Sequence, residues 1–144
     1  MKRYKKDKSP SDPIEEVDVS TYCISRKKPT ENEKLLLTLQ VGTLCPLCGS
    51  NLISKNKGIR YLSEIAHIFP CNPTEDEKHL LKDVVVAGND SESLENKRAL
   101  CKNCHDNYDY HKTISEYETL FKLKRKCEDA YNAKGLLSSY PIED

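Results

Sequence analysis

The sequence has no tryptophan, and 37% of its 144 residues are hydrophobic against 32% charged. So polar a chain cannot build a large apolar core unaided, and a metal staple would help compensate. Long hydrophobic runs are missing too: nothing approaches the roughly 20 apolar residues that a bilayer span requires. Met1 is followed by Lys2, Arg3, Lys5 and Lys6 rather than by an apolar export segment, so a cytoplasmic chain with no membrane partner is expected. Net charge is zero, with 23 basic and 23 acidic residues. That removes the overall positive field on which tight, autonomous nucleic-acid binding depends.

What the sequence does have is cysteine, seven in all, four of them in two pairs of one form: Cys45 with Cys48, and Cys101 with Cys104, the second pair running into His105. A Cys-x2-Cys pair places two thiolates on one tight turn, and two such turns complete a tetrahedral zinc site. In a reducing compartment this pattern reads as metal binding rather than as a disulfide framework. Between the pairs lie 52 residues, too many for a compact zinc ribbon, so the insert must be a structured excursion. Cys23, Cys71 and Cys127 have no partner at ligand spacing and read as buried or bystander thiols.

Charge is patchy. Lys2, Arg3, Lys5, Lys6 and Lys8 precede Asp12, Glu15, Glu16 and Asp18, and Lys122, Lys124, Arg125 and Lys126 cluster near the end. Residues 1–28 carry prolines and charges without periodicity and read as a flexible or partner-binding arm. Residues 29–135 read as one domain with flanking helices, its core about 43–112, followed by a tail over 136–144. Three capping boxes, Thr30 with Glu33, Thr74 with Glu77 and Thr113 with Glu116, predict helices over Lys34 to Gln40, to about Lys82, and to Ala133 with Gly135 closing the last. On that last helix Ile114, Tyr117, Leu120, Phe121, Cys127 and Tyr131 approximate one apolar face. Leu52 and Ile53, a turn at Lys55 to Gly58, and Ile59 to Ile68 predict a β-hairpin. Leu94 to Leu100 is ambiguous, and a helix is expected from about Lys102.

The order is then a knuckle, a hairpin ending in His67, a loop with Asn96, and a second knuckle with His105 opening a helix. Over residues 43–112 this order resembles the HNH endonuclease family, whose ββα-metal module often carries a four-cysteine zinc site. The resemblance implies an α+β fold, a zinc-stapled ββα-metal core with flanking helices. It implies a structural Zn²⁺ on Cys45, Cys48, Cys101 and Cys104, and hydrolysis of DNA phosphodiesters with Mg²⁺ or Mn²⁺. By the same resemblance His67 is the general base, Asn96 fixes the base-bearing loop, and His105 binds the catalytic ion. The segment from Ser63 to Pro70 looks like HNH modules of bacterial anti-phage defence systems, which often work with an ATPase partner.

The chain departs from the family at one position: the metal-binding Asp or His that usually precedes the base is Ala66. Asp109, one helical turn beyond His105, and Glu64, on the strand of His67, are the two candidate replacements. A catalytically degenerate zinc module that binds nucleic acid or protein is the alternative. His67 as a core histidine, Asn96 as a turn cap and Asp109 as an ordinary helix carboxylate are the plainer readings of those residues. His79 and His111 read as surface residues, and Lys97, Arg98 and Lys102 as phosphate contacts or a solvated face.

Overall fold

The computed structural model describes residues 1–4, 14–56, 58 and 60–122. Over these the chain is a mixed α+β fold of short antiparallel strand pairs and helices.

Strand β1 (Lys2–Tyr4) pairs with β2 (Ile14–Glu16), and Lys2 also bridges to Val85. Opposite charges meet across the pair: Arg3 is 2.9 Å from Glu15, and its guanidinium also donates to the carbonyls of Gly88 and Asn89. Helix α1 (Val19–Tyr22), capped by Asp18, buries Tyr22 to 1% exposure. Among the described residues of 1–28, Tyr22 is core, with its hydroxyl donating to Ala87 O at 2.5 Å and its ring edge-on to Phe69. The reason is physical: burying one tyrosine supplies on the order of 2 kcal/mol, enough to order a short segment that has no helical period to announce it.

Helix α2 (Glu31–Gln40) opens with both halves of the Thr30–Glu33 capping box in place. It ends at Gly42 and Thr43, both left-handed, at φ 67° and 64°. A β-branched residue is strained there; Thr43 is held between Thr38 O and Leu52 N. The first knuckle follows.

Strand β3 (Ile53–Ser54) pairs with β4 (Arg60–Tyr61) as the hairpin expected, but the second strand does not run on to Ile68. The chain changes partner at Ser63, whose buried hydroxyl bonds Thr38 at 2.8 Å. Strand β5 (Glu64–His67) pairs with β6 (Lys97–Leu100), with Ala66 opposite Arg98 and His67 opposite Lys97. A 3-10 turn (Leu94–Asn96) leads into β6. The ambiguous segment is thus a turn followed by a strand whose four residues are all buried. Lys97 and Arg98 conceal it in the sequence, because buried charge does not read as strand.

Helix α3 (Glu75–Leu80) carries the second capping box. Helix α4 (Lys102–Tyr110) starts at the second knuckle, capped by Cys101, and Tyr108 donates to Ile68 O at 2.6 Å, fastening α4 to the end of β5. Helix α5 (114–122) packs Tyr117 and Leu120 into the core beside Phe69 and Leu81. Glu116 N bonds the Thr113 hydroxyl at its start. The expected end at Ala133 and Gly135, the Cys127 and Tyr131 part of its face, and the tail 136–144 lie outside the described residues.

Candidate functional site

Six of the seven cysteines are described, and all six are free thiols. Cys45, Cys48, Cys101 and Cys104 converge with their sulfurs within 4.8 Å of one another, Cys48 and Cys101 at 3.5 Å. Four sulfurs at 2.3 Å from one zinc stand about 3.8 Å apart, so the donor set fits a tetrahedral ion. The first knuckle closes through Cys45 N to Ser50 O and Gly49 N to Cys45 O, each 2.8 Å, with Gly49 at φ 80° where a side chain would be strained. The Ser50 hydroxyl and backbone draw the Cys48 thiol down to about 6. This is a group that can hold a metal, with Cys45 and Cys48 on the turn between α2 and β3 and Cys101 and Cys104 at the start of α4.

His67 ends β5 facing an open cleft of about 660 Å³, to which Arg26, Cys71, Glu77, Asp109 and Lys112 also contribute. Its Nε2 meets Glu92 at 2.5 Å. Glu92 in turn contacts Lys97 at 3.4 Å and accepts from Lys27 N at 3.1 Å. Lys97 reaches onward to Glu33 at 2.8 Å. Burial pushes the His67 pKa down, opposed by the Glu92 hydrogen bond. For Glu92 burial acts upward, but His67, the Lys27 backbone and Lys97 outweigh it and keep the carboxyl below its usual range. A neutral imidazole therefore gives its Nε2 proton to a carboxylate and keeps Nδ1 as the basic nitrogen.

The bend after His67 is fixed by Asn96. Its Oδ1 accepts from Phe69 N at 2.8 Å, and its Nδ2 donates to Phe69 O and Ser91 O. The side chain is 1% exposed and bonds on both sides of the loop, so it does more than cap the turn after Ser93.

His105, on α4, stands between two carboxylates. Its Nδ1 meets Glu64 at 2.8 Å and its Nε2 meets Asp109 at 3.1 Å. Its pKa is raised, by the Asp109 bond first, against burial and with help from Glu64. Glu64 and Asp109 thus occupy opposite ring nitrogens and cannot share one ion with a single nitrogen of His105. Asp109 is on the side of the cleft; Glu64, His105 and Asp106 make a separate cluster within 4.8 Å. Ala66 is fully buried.

Several sequence-based expectations change. Lys97 and Arg98 are 3% and 1% exposed, so neither is a surface available to phosphate; Lys97 belongs to the Glu33 and Glu92 network. Lys102 is exposed and pairs with Asp106. Cys71 is no bystander: its sulfur is 3.5 Å from Glu92, and it clusters with His67 and Glu92. Glu92 and Lys112 went unread. Nothing in a polar loop distinguishes Glu92 from its neighbours, and Lys112, 3.1 Å from Glu77 and over the Tyr108 ring, is spelled as an ordinary lysine after a helix. His79 and His111 are exposed, as expected. Among the described residues no helix is long and apolar enough to cross a membrane. No family model and no curated protein matches the chain.

Proposed function

We propose that the chain is a metal-dependent DNA endonuclease of the HNH type, hydrolysing phosphodiester bonds. The observation that carries this reading is the meeting of His67, from a strand, and Asp109, from the helix after the second knuckle, in one cleft. The strand pair β5–β6 followed by α4, with the Asn96 clamp between, supports it further. In this reading His67 Nδ1 takes the proton of the attacking water, and Glu92 holds the tautomer that leaves Nδ1 free. Arg26 meets the phosphate from the cleft wall. His105 Nε2 and Asp109 would hold Mg²⁺ or Mn²⁺, with Glu64 orienting His105 through Nδ1 in the manner of a carboxylate–histidine–metal triad. Such an ion neutralises charge growing on the phosphate and stabilises the departing oxygen. Cys45, Cys48, Cys101 and Cys104 would hold a structural Zn²⁺ that keeps His105 in place. With zero net charge, the chain is best delivered to DNA by a partner, and by analogy with defence nucleases that partner is an ATPase.

One observation favours a second reading, a non-enzymatic zinc module: the position before His67 is an alanine without a donor and is closed to solvent. Plasmid cleavage with and without Mg²⁺ or Mn²⁺ separates the two. The nuclease nicks with a divalent ion, and His67→Ala loses roughly a hundredfold or more while keeping its zinc. A wild-type chain that fails to cleave with either ion leaves the binding module standing.

A further inference from the structure

We propose that His67, Cys71 and Glu92 form a second metal site, selective for a soft divalent ion such as Zn²⁺, whose occupation shuts off the base. The three donor atoms lie within 4.8 Å of one another, and two of the residues, His67 and Cys71, line the open cleft. The geometry fits an ion closely. A sulfur at 2.3 Å and an oxygen at 2.0 Å from a tetrahedral zinc are about 3.5 Å apart, and Cys71 Sγ is 3.5 Å from Glu92 Oε2. The His67 to Glu92 contact, now a hydrogen bond at 2.5 Å, must open to about 3.3 Å. A glutamate rotamer can make that adjustment.

The donors are anchored independently. Asn96 clamps Phe69, between His67 and Cys71, from both sides; the Cys23 thiol donates to Pro70 O at 3.4 Å; Glu92 is tied to Lys27 N. A thiolate in the set favours zinc over magnesium, which requires oxygen donors and octahedral geometry. Zinc at this site and Mg²⁺ beside Asp109 therefore do not exchange places.

The proton balance gives the consequence. The ion takes the place of the proton on His67 Nε2; that proton passes through solvent to Nδ1, and the Cys71 thiol releases its proton to solvent. The imidazole stays neutral with its single proton now on Nδ1, so the basic nitrogen is capped. Binding stands on geometry alone; the inhibitory effect rests on the nuclease reading.

The test is zinc content of the full chain at equilibrium with a zinc buffer, followed by cleavage. Wild type should hold two zinc ions, and Cys71→Ser and Cys71→Ala should hold one, the second affinity falling at least about a hundredfold, as direct ligands matter more than outer-shell partners. Cys23→Ser, a thiol in the same cleft, should keep two. In the presence of Mg²⁺, added zinc should stop cleavage by wild type and spare Cys71→Ser, each measured against its own zinc-free rate. A single zinc in wild type, a second zinc that survives both Cys71 variants, or one lost only with Cys23→Ser overturns the site. Two zinc ions, one lost with Cys71, in a chain that never cleaves would uphold the site and sink only the nuclease reading.

Discussion

His67 and His105 are both buried, both bonded to carboxylates, and shifted in opposite directions. His67 is held neutral because burial dominates and the charge of its one carboxylate is already engaged by Lys97. His105 is favoured as a cation because Asp109 and Glu64 bracket it, and the nearest counter-charge, Lys112, reaches Asp109 only at 3.8 Å. What separates them is the balance with burial: one carboxylate, itself engaged by Lys97, does not offset burial at His67, whereas two carboxylates outweigh it at His105. A neutral imidazole accepts a proton, whereas an imidazole surrounded by unspent negative charge is a place where a metal ion can stand in for that proton.

The largest expected effect removes the comparison altogether. His105 depends on the four-cysteine cluster, since it follows Cys104 directly and Cys101 caps α4. Cys101→Ser should lose bound zinc and most of the cooperative thermal transition, because metal binding and folding are one event in such sites. A variant that melts like wild type would show that the four cysteines are no staple. Next in size is Glu92→Gln. It removes the contribution that holds the His67 pKa up, so the acid limb of cleavage should move to lower pH while the rate falls roughly tenfold or more. An unmoved limb would detach Glu92 from the base.

Asp109→Asn acts on the other histidine. It should lower the His105 pKa in an NMR titration and raise the Mg²⁺ requirement for cleavage by about tenfold with zinc content unchanged. Ala66→Asp should lower that requirement. If neither substitution alters the metal titration, the second ligand lies elsewhere. The smallest effect is on stability. His105, with its raised pKa, stabilises the fold below the ordinary histidine pKa and loses that contribution as pH climbs through the raised value. His67, with its lowered pKa, contributes above the ordinary value and loses it as pH falls through the lowered one. Urea unfolding across the histidine range should therefore find His105→Gln more acid-sensitive than wild type and His67→Gln less so. The same sign for both would erase the contrast.

Much of this was legible because it is written in close spacing. Two Cys-x2-Cys turns announce a four-sulfur cluster, and the Thr30 and Thr74 boxes mark helix starts that hydrogen bonds in the structure complete. Residues that work across distance were not. Glu92 lies 25 residues from His67 and gains its role only when β6 pairs with β5. Strand β6 was itself obscured, since Lys97 and Arg98 are charges whose burial depends on partners elsewhere in the chain. Val17 and Tyr22 gave no period, so their segment read as an arm although it packs on the core. Glu64 and Asp109 were both visible as carboxylates near His105, but that they address opposite nitrogens of one ring is a fact of three dimensions.

Glu33 divides its two oxygens between unrelated tasks. Oε2 accepts from Thr30 N at 3.2 Å and starts α2, while Oε1 accepts from Lys97 at 2.8 Å. Lys97 shares itself with Glu92, and Glu92 with His67. When His67 gains a proton it competes for Glu92, Lys97 leans more heavily on Glu33, and the cap at Thr30 is left weaker. Helix fraying at one end of the molecule thus becomes a gauge of protonation in the cleft. Amide hydrogen exchange at Thr30, corrected for its intrinsic pH dependence, should quicken as pH falls through the His67 titration, with the amides in the middle of α2 unchanged.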